Sequence, residues 1–177
     1  MVAWTARAHT HRPRSELSRS NVALCEWLVA VFKRILIICV GNICRSPTAE
    51  YMFRHRLSSA GTSIQSAGLG ALVGQCMDPV AREILSENGI EGETHRARQV
   101  TSSMLRDANL VLAMEQEHVT RLMRMAPEAS GKVMLLDRWE RRGDIPDPYR
   151  LGREVFEHVY QRIDRAVESW LPHLRAC

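Results

Sequence analysis

The segment Cys39-Val-Gly-Asn-Ile-Cys-Arg-Ser46 places a cysteine six residues before an arginine. A thiolate is a strong nucleophile, and a guanidinium offers a planar pair of donors that matches two phosphate oxygens. The segment follows an apolar run and leads into Pro47, which suits the first turn of a helix. A loop between a buried strand and a helix directs its backbone N–H groups toward one point and binds anions there. We therefore predict a phosphate-binding loop over residues 40–46, with Cys39 as its nucleophile and Arg45 as its phosphate ligand.

Three residues inside this loop fit the geometry that such an anion nest requires. Gly41 permits backbone angles that are closed to other residues, and Asn42 tolerates a left-handed conformation. Ser46 can donate a hydrogen bond to the sulfur and stabilise it as a leaving group. The field that binds the anion also favours the thiolate form of a cysteine at its centre. The loop is completed by Val40, Ile43 and Cys44.

A second cysteine, Cys76, stands at the same spacing before Arg82 and serves as an internal comparison. No strand-like run precedes it, and its loop lacks glycine. That loop also contains Asp78, which would repel an anion, and Pro79, which has no N–H donor. For Cys39 the alternative is a buried residue at the end of a strand, since free cysteines are commonly buried. The residues that follow Cys39 favour the nucleophile.

Phosphoryl transfer from an ester to a thiolate also requires a proton donor for the leaving oxygen. The polar segment 143–150 (GDIPDPYR) offers Asp144 and Asp147. Asp147 lies between two prolines, which fix the local backbone and can hold the carboxyl in one direction. We predict Asp147 as the acid, with a surface turn as the alternative because proline and aspartate favour turns. Tyr149 is placed to flank an aromatic ring.

The hydrophobic pattern predicts the elements that position these residues. Strands are predicted over 35–40, 63–66, 110–113 and 132–136, and the β-branched run ILIICV is typical of a strand buried on both faces. Helices are predicted from about 47 to 60, over 79–88, over 115–125 and over 152–174, with a short helix after residue 99. Strands that alternate with helices indicate a mostly parallel α/β sandwich, whose ligand site lies at the carboxyl ends of the strands.

Composition and charge exclude several functional classes. The chain has 177 residues, a length that suits one domain. Its five cysteines are odd in number and lack paired CxxC spacings, so neither a disulfide framework nor a structural metal site is indicated. No apolar run approaches the roughly 20 residues that span a bilayer, so we expect no membrane insertion and a cytoplasmic location.

The net charge of +4 lies entirely near the N-terminus. Residues 1–34 carry six basic and two acidic side chains, whereas the remaining residues carry eighteen of each. The body therefore has no general basic field, and we expect no nucleic-acid partner.

Residues 1–30 have no regular apolar period, and we expect a disordered or non-native extension there, followed by one domain over residues 31–177.

In combination, these motifs resemble those of the low-molecular-weight protein tyrosine phosphatases. The resemblance is carried by CVGNICRSPTAE at 39–50, SAG at 66–68, HRARQ at 95–99 and DPYR at 147–150. Further segments are similar to the bacterial branch associated with capsule and exopolysaccharide production: GLGALVG at 68–74, MEQEH at 114–118, MAPE at 125–128 and GKVMLL at 131–136. The resemblance begins near Val31, which stands where bacterial relatives start, and makes that residue a candidate translation start.

The resemblance implies a fold and a mechanism. The fold is a small four-stranded parallel sheet flanked by helices on both faces. The mechanism has two steps and uses no metal or cofactor: Cys39 attacks phosphorus to give a phosphocysteine while Asp147 protonates the leaving phenolate. Asp147 then activates the water that hydrolyses this intermediate, and Arg45 holds the phosphoryl oxygens throughout.

The resemblance also implies roles for residues around the loop. Asn42 would be held by Ser46, Ser66 and His95, although a surface or capping role for His95 is the alternative. Cys44 occupies the position of a second loop cysteine, which could form a protective disulfide with the nucleophile or could simply be a packed small residue.

The walls of the substrate cleft are expected from Ile43, Leu69 and Tyr149. The substrate is expected to be a phosphotyrosine protein, and the branch points to the tyrosine-rich tail of a membrane-bound polysaccharide-assembly tyrosine kinase. Eukaryotic members carry a second tyrosine where this chain has Arg150, which would favour acidic sequence around the phosphotyrosine.

Three other functions are compatible with parts of the pattern. An arsenate reductase shares the fold and loop, but residues 109–119, where that enzyme has its further cysteines, contain none. A protein arginine phosphatase has a similar loop with threonine at the position of Ile43. A non-catalytic phosphotyrosine-binding or redox-sensing module would lack a nucleophile or an acid, and this chain has candidates for both.

Overall fold

The computed structural model describes residues 32–57, 61–140 and 143–174, so the expectation for residues 1–30 lies outside the described residues. The strands in these ranges are β1 (Arg34–Cys39), β2 (Ser63–Gly68), β3 (Leu110–Ala113) and β4 (Val133–Leu135). The helices are α1 (Arg45–Arg56), α2 (Pro79–Glu87), α3 (Ser102–Asp107), α4 (Gln116–Met125) and α5 (Arg153–Leu174), with a 3-10 helix at Pro127–Lys132. None of these helices is long and apolar enough to cross a membrane.

The four strands form one parallel sheet in the order β2-β1-β3-β4. The first strand is central, and its residue Ile37 lies between Ser66 of β2 and Leu112 of β3. Because all the strands run the same way, their carboxyl ends lie along one edge of the sheet, where ligand sites of such sheets form. The predicted four-stranded parallel α/β fold is confirmed.

Two hydrophobic cores cover the two faces of the sheet, and alternate residues of β1 enter each of them. Ile35 and Ile37 pack with residues of α1, α2 and α5, whereas Leu36 and Ile38 pack with residues of α3 and α4. Ile37 and Ile38 are both fully buried. Burial on both faces explains why this strand is apolar at every position rather than at every second one.

The element boundaries differ from the predicted ones by a few residues. β1 ends at Cys39 rather than at residue 40, and α1 begins at Arg45 rather than near Pro47. Proline is tolerated throughout the first turn of a helix because the N–H groups there have no partner within the helix. The predicted phosphate-binding loop is therefore shorter, and Arg45 belongs to the helix.

Gly68, the last residue of β2, allows this strand to approach the start of that loop. It pairs with Cys39, and the two residues after it donate backbone hydrogen bonds to the carbonyls of Cys39 and Val40 at 2.9 and 3.1 Å. A Cβ atom added at Gly68 would lie 2.2 Å from the carbonyl oxygen of Val40. The close backbone contact therefore requires glycine.

We expect Gly68→Ala to lower the free energy of unfolding by about 1–3 kcal/mol, because the added methyl must displace backbone atoms. Urea denaturation measures this change. Gly70→Ala is the matched control, since its Cβ would lie 3.8 Å from a side-chain carbon of Val40, an ordinary contact. Equal stability of the two variants would contradict the close approach at Gly68.

Candidate active site

The sulfur of Cys39 lies at the end of the central strand, facing the first turn of α1, and the residue is only 3% exposed. Its Sγ is 2.9 Å from Ser46 Oγ and accepts a hydrogen bond from the backbone N–H of Asn42 at 3.3 Å. Ser46 Oγ also accepts a hydrogen bond from the Asn42 side chain, so its own hydrogen is free to point at the sulfur. Both donors stabilise negative charge on sulfur.

Asn42 stabilises the conformation of the loop. Its φ of 55° lies in the left-handed region, and the residue is fully buried. Its Nδ2 donates to Ser46 Oγ and Ser66 Oγ, both at 2.9 Å, and its Oδ1 accepts from the backbone N–H of Arg98 at 2.9 Å. Its carbonyl oxygen lies 2.6 Å from His95 Nε2. The structure thus brings Ser46, Ser66 and His95 together around Asn42.

Further hydrogen bonds determine which of these groups donates and which accepts. Ser66 Oγ accepts from Asn42 and donates to Glu50 Oε2 at 2.5 Å, and the buried Glu50 pairs with Arg54. Sequence reasoning missed Glu50 and Arg98, although both stand within the quoted motifs. Glu50 is in the AE pair that ends the loop motif, whereas Arg98 contributes a backbone N–H, which no side-chain pattern could have indicated.

Arg45 joins the loop to the segment that carries the predicted acid. Its side chain is only 1% exposed. One terminal nitrogen donates to Glu115 and to the carbonyl oxygen of Ile145 at 2.8 Å, and the other donates to Asp147 Oδ2 at 2.5 Å. A buried cation needs such compensation. Sequence reasoning missed Glu115, which stands in the MEQEH motif just before α4.

The two carboxyl groups considered for the acid occupy different places. Asp147 lines the cleft above Arg45, and its Oδ1 also accepts from the backbone N–H of Tyr149 at 3.1 Å. Asp144 instead accepts from the backbone N–H of Gln116 at 2.8 Å, in the first turn of α4. Of the two, Asp147 is the one beside Arg45.

The cleft has a volume of about 210 Å³ and is partly open to solvent. Its floor and walls are formed by Cys39, Val40, Gly41, Ile43, Cys44, Arg45, Gly70, Leu72, Asp147 and Tyr149. The floor carries the sulfur and the guanidinium, whereas the walls are mainly apolar or aromatic. This arrangement suits a flat group that ends in an anion.

The prediction of Leu69 as a wall of the cleft is wrong. Leu69 is 7% exposed and packs in the core on the α3 and α4 side of the sheet, as does Ala67 two residues earlier. The strand alternation continues past the end of β2, since the backbone N–H of Leu69 still bonds to Cys39 O. Leu72 takes the place at the cleft that was predicted for Leu69.

The remaining cysteines of the described ranges differ from Cys39. Burial raises the pKa of the Cys44 thiol, and the nearby Asp78 raises it further, so Cys44 stays a thiol. Cys76 is exposed. Asp78, which follows Cys76, accepts the backbone N–H of Val80 at 2.9 Å and caps α2. The Cys76–Arg82 spacing therefore belongs to an ordinary helix start.

Comparisons with known proteins agree with this geometry. Residues 34–176 match the family described as low molecular weight phosphotyrosine protein phosphatase. The chain is 45% identical over 146 residues to the low molecular weight protein-tyrosine-phosphatase Wzb of Escherichia coli K12. This alignment covers 82% of this chain and 98% of Wzb. Among solved structures, Vibrio vulnificus Wzb in complex with benzylphosphonate has 43% identity and a TM-score of 0.76, covering 80% of this chain and 98% of that one.

A structure of an arginine phosphatase, YwlE from Geobacillus stearothermophilus, has the same TM-score of 0.76 but only 31% identity, covering 80% of this chain and 92% of that one. The higher identity to Wzb agrees with the capsule- and exopolysaccharide-associated branch that the motifs indicated. The match at 34–176 includes every strand of the sheet and every residue of the cleft. The chain belongs to the low-molecular-weight phosphotyrosine protein phosphatase family and is a protein tyrosine phosphatase.

Proposed function

We propose that this enzyme hydrolyses phosphotyrosine in proteins through a phosphocysteine intermediate. Cys39 is the nucleophile, Arg45 the phosphate ligand and Asp147 the general acid. The observation that carries the proposal is the meeting of sulfur, guanidinium and carboxyl at one cleft, with Arg45 bonded to Asp147 at 2.5 Å.

In the first step the sulfur of Cys39 attacks phosphorus, so that an S–P bond forms and the P–O bond to the tyrosine ring breaks. Asp147 transfers its proton to the leaving phenolate oxygen. The non-bridging oxygens are held by Arg45 and by the N–H groups of the loop and the first turn of α1. Those first-turn groups have no carbonyl partner within the helix and lie at its positive end.

In the second step Asp147, now a carboxylate, accepts a proton from water. The water oxygen attacks phosphorus, the S–P bond breaks, and inorganic phosphate is released. The thiolate of Cys39 is the leaving group, and the hydroxyl of Ser46 at 2.9 Å supports the charge that returns to sulfur.

The walls of the cleft support an aromatic phosphate ester as the substrate. Ile43, Leu72 and Tyr149 present apolar surface on the way to Cys39, and the benzylphosphonate of the Vibrio vulnificus structure is itself an aromatic phosphonate. At the rim, the Arg150 guanidinium lies 5.1 Å from the centre of the Tyr149 ring, which places a positive charge beside the opening. Acidic residues around the phosphotyrosine suit this charge.

For the physiological partner, we propose an autophosphorylated, membrane-bound tyrosine kinase of polysaccharide assembly, met at the cytoplasmic face of the membrane. The support is the similarity to Wzb and the bacterial-branch motifs.

We also propose that Cys44 protects the nucleophile. A peroxide that takes two electrons from the two thiols would close a Cys39–Cys44 disulfide instead of over-oxidising Cys39, and both thiols line the cleft.

Arginine phosphatase activity is the second candidate, supported by the similarity to YwlE. Ile43 argues against it, because an apolar side chain in the wall offers no partner to the N–H groups of a phosphoarginine. Arsenate reduction is disfavoured because residues 109–119 contain no cysteine and the described Cys76 does not line the cleft. A non-catalytic module is disfavoured because the nucleophile and the acid candidates face one cleft.

We expect the protein to dephosphorylate phosphotyrosine peptides in the presence of EDTA, and far faster than phosphoserine or phosphoarginine peptides at equal concentration. Cys39→Ser removes the nucleophile and should lower kcat more than about a thousandfold. Release of inorganic phosphate is the measurement. Cys76→Ser is the matched control and should leave turnover unchanged. Equal losses in the two variants would exclude Cys39 as the nucleophile, and preference for phosphoarginine would favour the second candidate.

We expect Asp147→Asn to slow aryl phosphates with poor leaving groups by about a hundredfold or more, because they depend on protonation, and to slow activated esters much less. The measurement is kcat/KM for a series of substituted phenyl phosphates. Asp144→Asn is the control in the same loop, since an amide oxygen can still accept the Gln116 N–H. A uniform loss across leaving groups would remove Asp147 as the acid.

We expect Asn42→Gly to lower the free energy of unfolding by about 1–3 kcal/mol and kcat/KM by about tenfold or more, because glycine keeps the positive φ but loses two buried and one part-buried side-chain hydrogen bond. Urea denaturation and p-nitrophenyl phosphate turnover measure the two effects. In the control, Asn88→Ala removes a part-buried hydrogen bond to Ile84 O between two residues that do not line the cleft. Unchanged turnover in Asn42→Gly would show that these bonds do not support catalysis.

A further inference from the structure

The segment that carries Asp147 leaves the sheet and returns to it at adjacent points. Leu136, just after β4, donates its backbone N–H to Ala113 O at 2.8 Å, and Ile145 donates to Met114 O at 2.9 Å. The residues on either side of the segment 137–144 are therefore bonded to consecutive residues, Ala113 at the end of β3 and Met114 after it. Both ends of the segment are thus fixed beside the sheet.

The end of this loop sets the place of the acid. Ile145 is fully buried, and its carbonyl oxygen accepts a hydrogen bond from Arg45 at 2.8 Å. Asp147 follows two residues later, between Pro146 and Pro148, whose rings restrict the backbone. A displacement of Ile145 is therefore carried to the carboxyl of Asp147.

One guanidinium on α5 bridges both ends of the loop. Arg162 donates to Asp137 Oδ2 at 2.5 Å at the first end, and to the carbonyl oxygens of Asp144 and Gly143 at 3.0 and 3.3 Å at the second end. Its side chain is 13% exposed, and that of Asp137 is 3% exposed. A buried carboxylate is costly unless it is paired, so this pair holds a defined position.

We infer that Arg162 and Asp137 are positioning residues for the general acid: from α5 they fix the loop end that places Asp147 over Arg45. The inference rests on the proposed function of Asp147. Helix α5 supplies no residue to the cleft lining. According to this inference, it nevertheless supports protonation of the leaving group by positioning Asp147. The pair touches neither the sulfur nor Arg45, and Arg45 keeps Glu115 as a partner outside the loop. The effect of the pair should therefore fall mainly on the protonation step.

The test uses the full-length protein and two variants. Arg162→Lys keeps a cation beside Asp137 but lacks the planar fork that reaches both ends of the loop. The double variant Asp137→Leu/Arg162→Met removes the pair without leaving a buried charge alone. For each, kcat/KM is measured over the series of phenyl phosphates, inorganic phosphate inhibition is measured as a probe of the phosphate-binding loop, and thermal unfolding verifies the fold.

We expect the double variant to lose about tenfold or more on phenyl phosphate and less than about threefold on p-nitrophenyl phosphate, which steepens the dependence on leaving-group pKa. Arg162→Lys should show the same trend to a smaller extent. The inhibition constant of phosphate should stay within about twofold. In an Asp147→Asn background the removal of the pair should change nothing further, because the two changes act on one step.

The matched control is Asp164→Leu/Arg56→Met, which removes another arginine–aspartate pair of α5, one that joins it to α1. This control should keep the leaving-group dependence of the parent protein. An unchanged dependence in both Arg162 variants, while Asp147→Asn steepens it, would overturn the inference and leave the proposed function intact. A uniform loss accompanied by weaker phosphate inhibition would overturn it as well. If Asp147→Asn itself leaves the dependence unchanged, the proposed acid fails, and the inference fails with it.

Discussion

The buried guanidinium of Arg45 is the constraint on which the site depends. A cation that is 1% exposed must be paired, and its three partners here come from two parts of the chain: Glu115 just before α4, and the carbonyl of Ile145 and the carboxyl of Asp147 in the segment before α5. Their separations along the sequence, from 70 to 102 residues, mean that the cleft exists only when the whole sheet is assembled. The cost of burying one charge thus ties the nucleophile loop to the acid.

On the other side of the loop, an unfavourable feature is again compensated by buried partners: the strained backbone of Asn42 is held by hydrogen bonds. Asn42 stays in the left-handed region because both ends of its amide and its carbonyl oxygen have partners, and Ser66 passes the network on to Glu50. Backbone strain of this kind persists when the surroundings over-determine it. Gly68 completes this support by letting β2 reach the loop.

The sheet and the nucleophile loop could be predicted because their signals are local. A β-branched run followed by glycine, asparagine, arginine and serine within eight residues specifies strand, turn and helix start together. The resemblance to a family supplied Ser46, Ser66 and His95 as partners of Asn42 but not Arg98. No pattern supplied Glu115, whose role depends on contact with a residue 70 positions away. Leu69 was assigned to the wrong face because the strand pairing continues one residue beyond β2, and a shift of one residue reverses the face of a side chain.

The cleft is divided into a buried floor and an exposed rim. Cys39 and Arg45 are at most 3% exposed, whereas Val40 and Tyr149 are 36% and 42% exposed. Rim side chains of this kind contribute little to folding, and substitutions there usually change stability only slightly. Substrate preference can therefore diverge among relatives by exchange of a few surface residues, while the machinery beneath stays bound to the integrity of the fold.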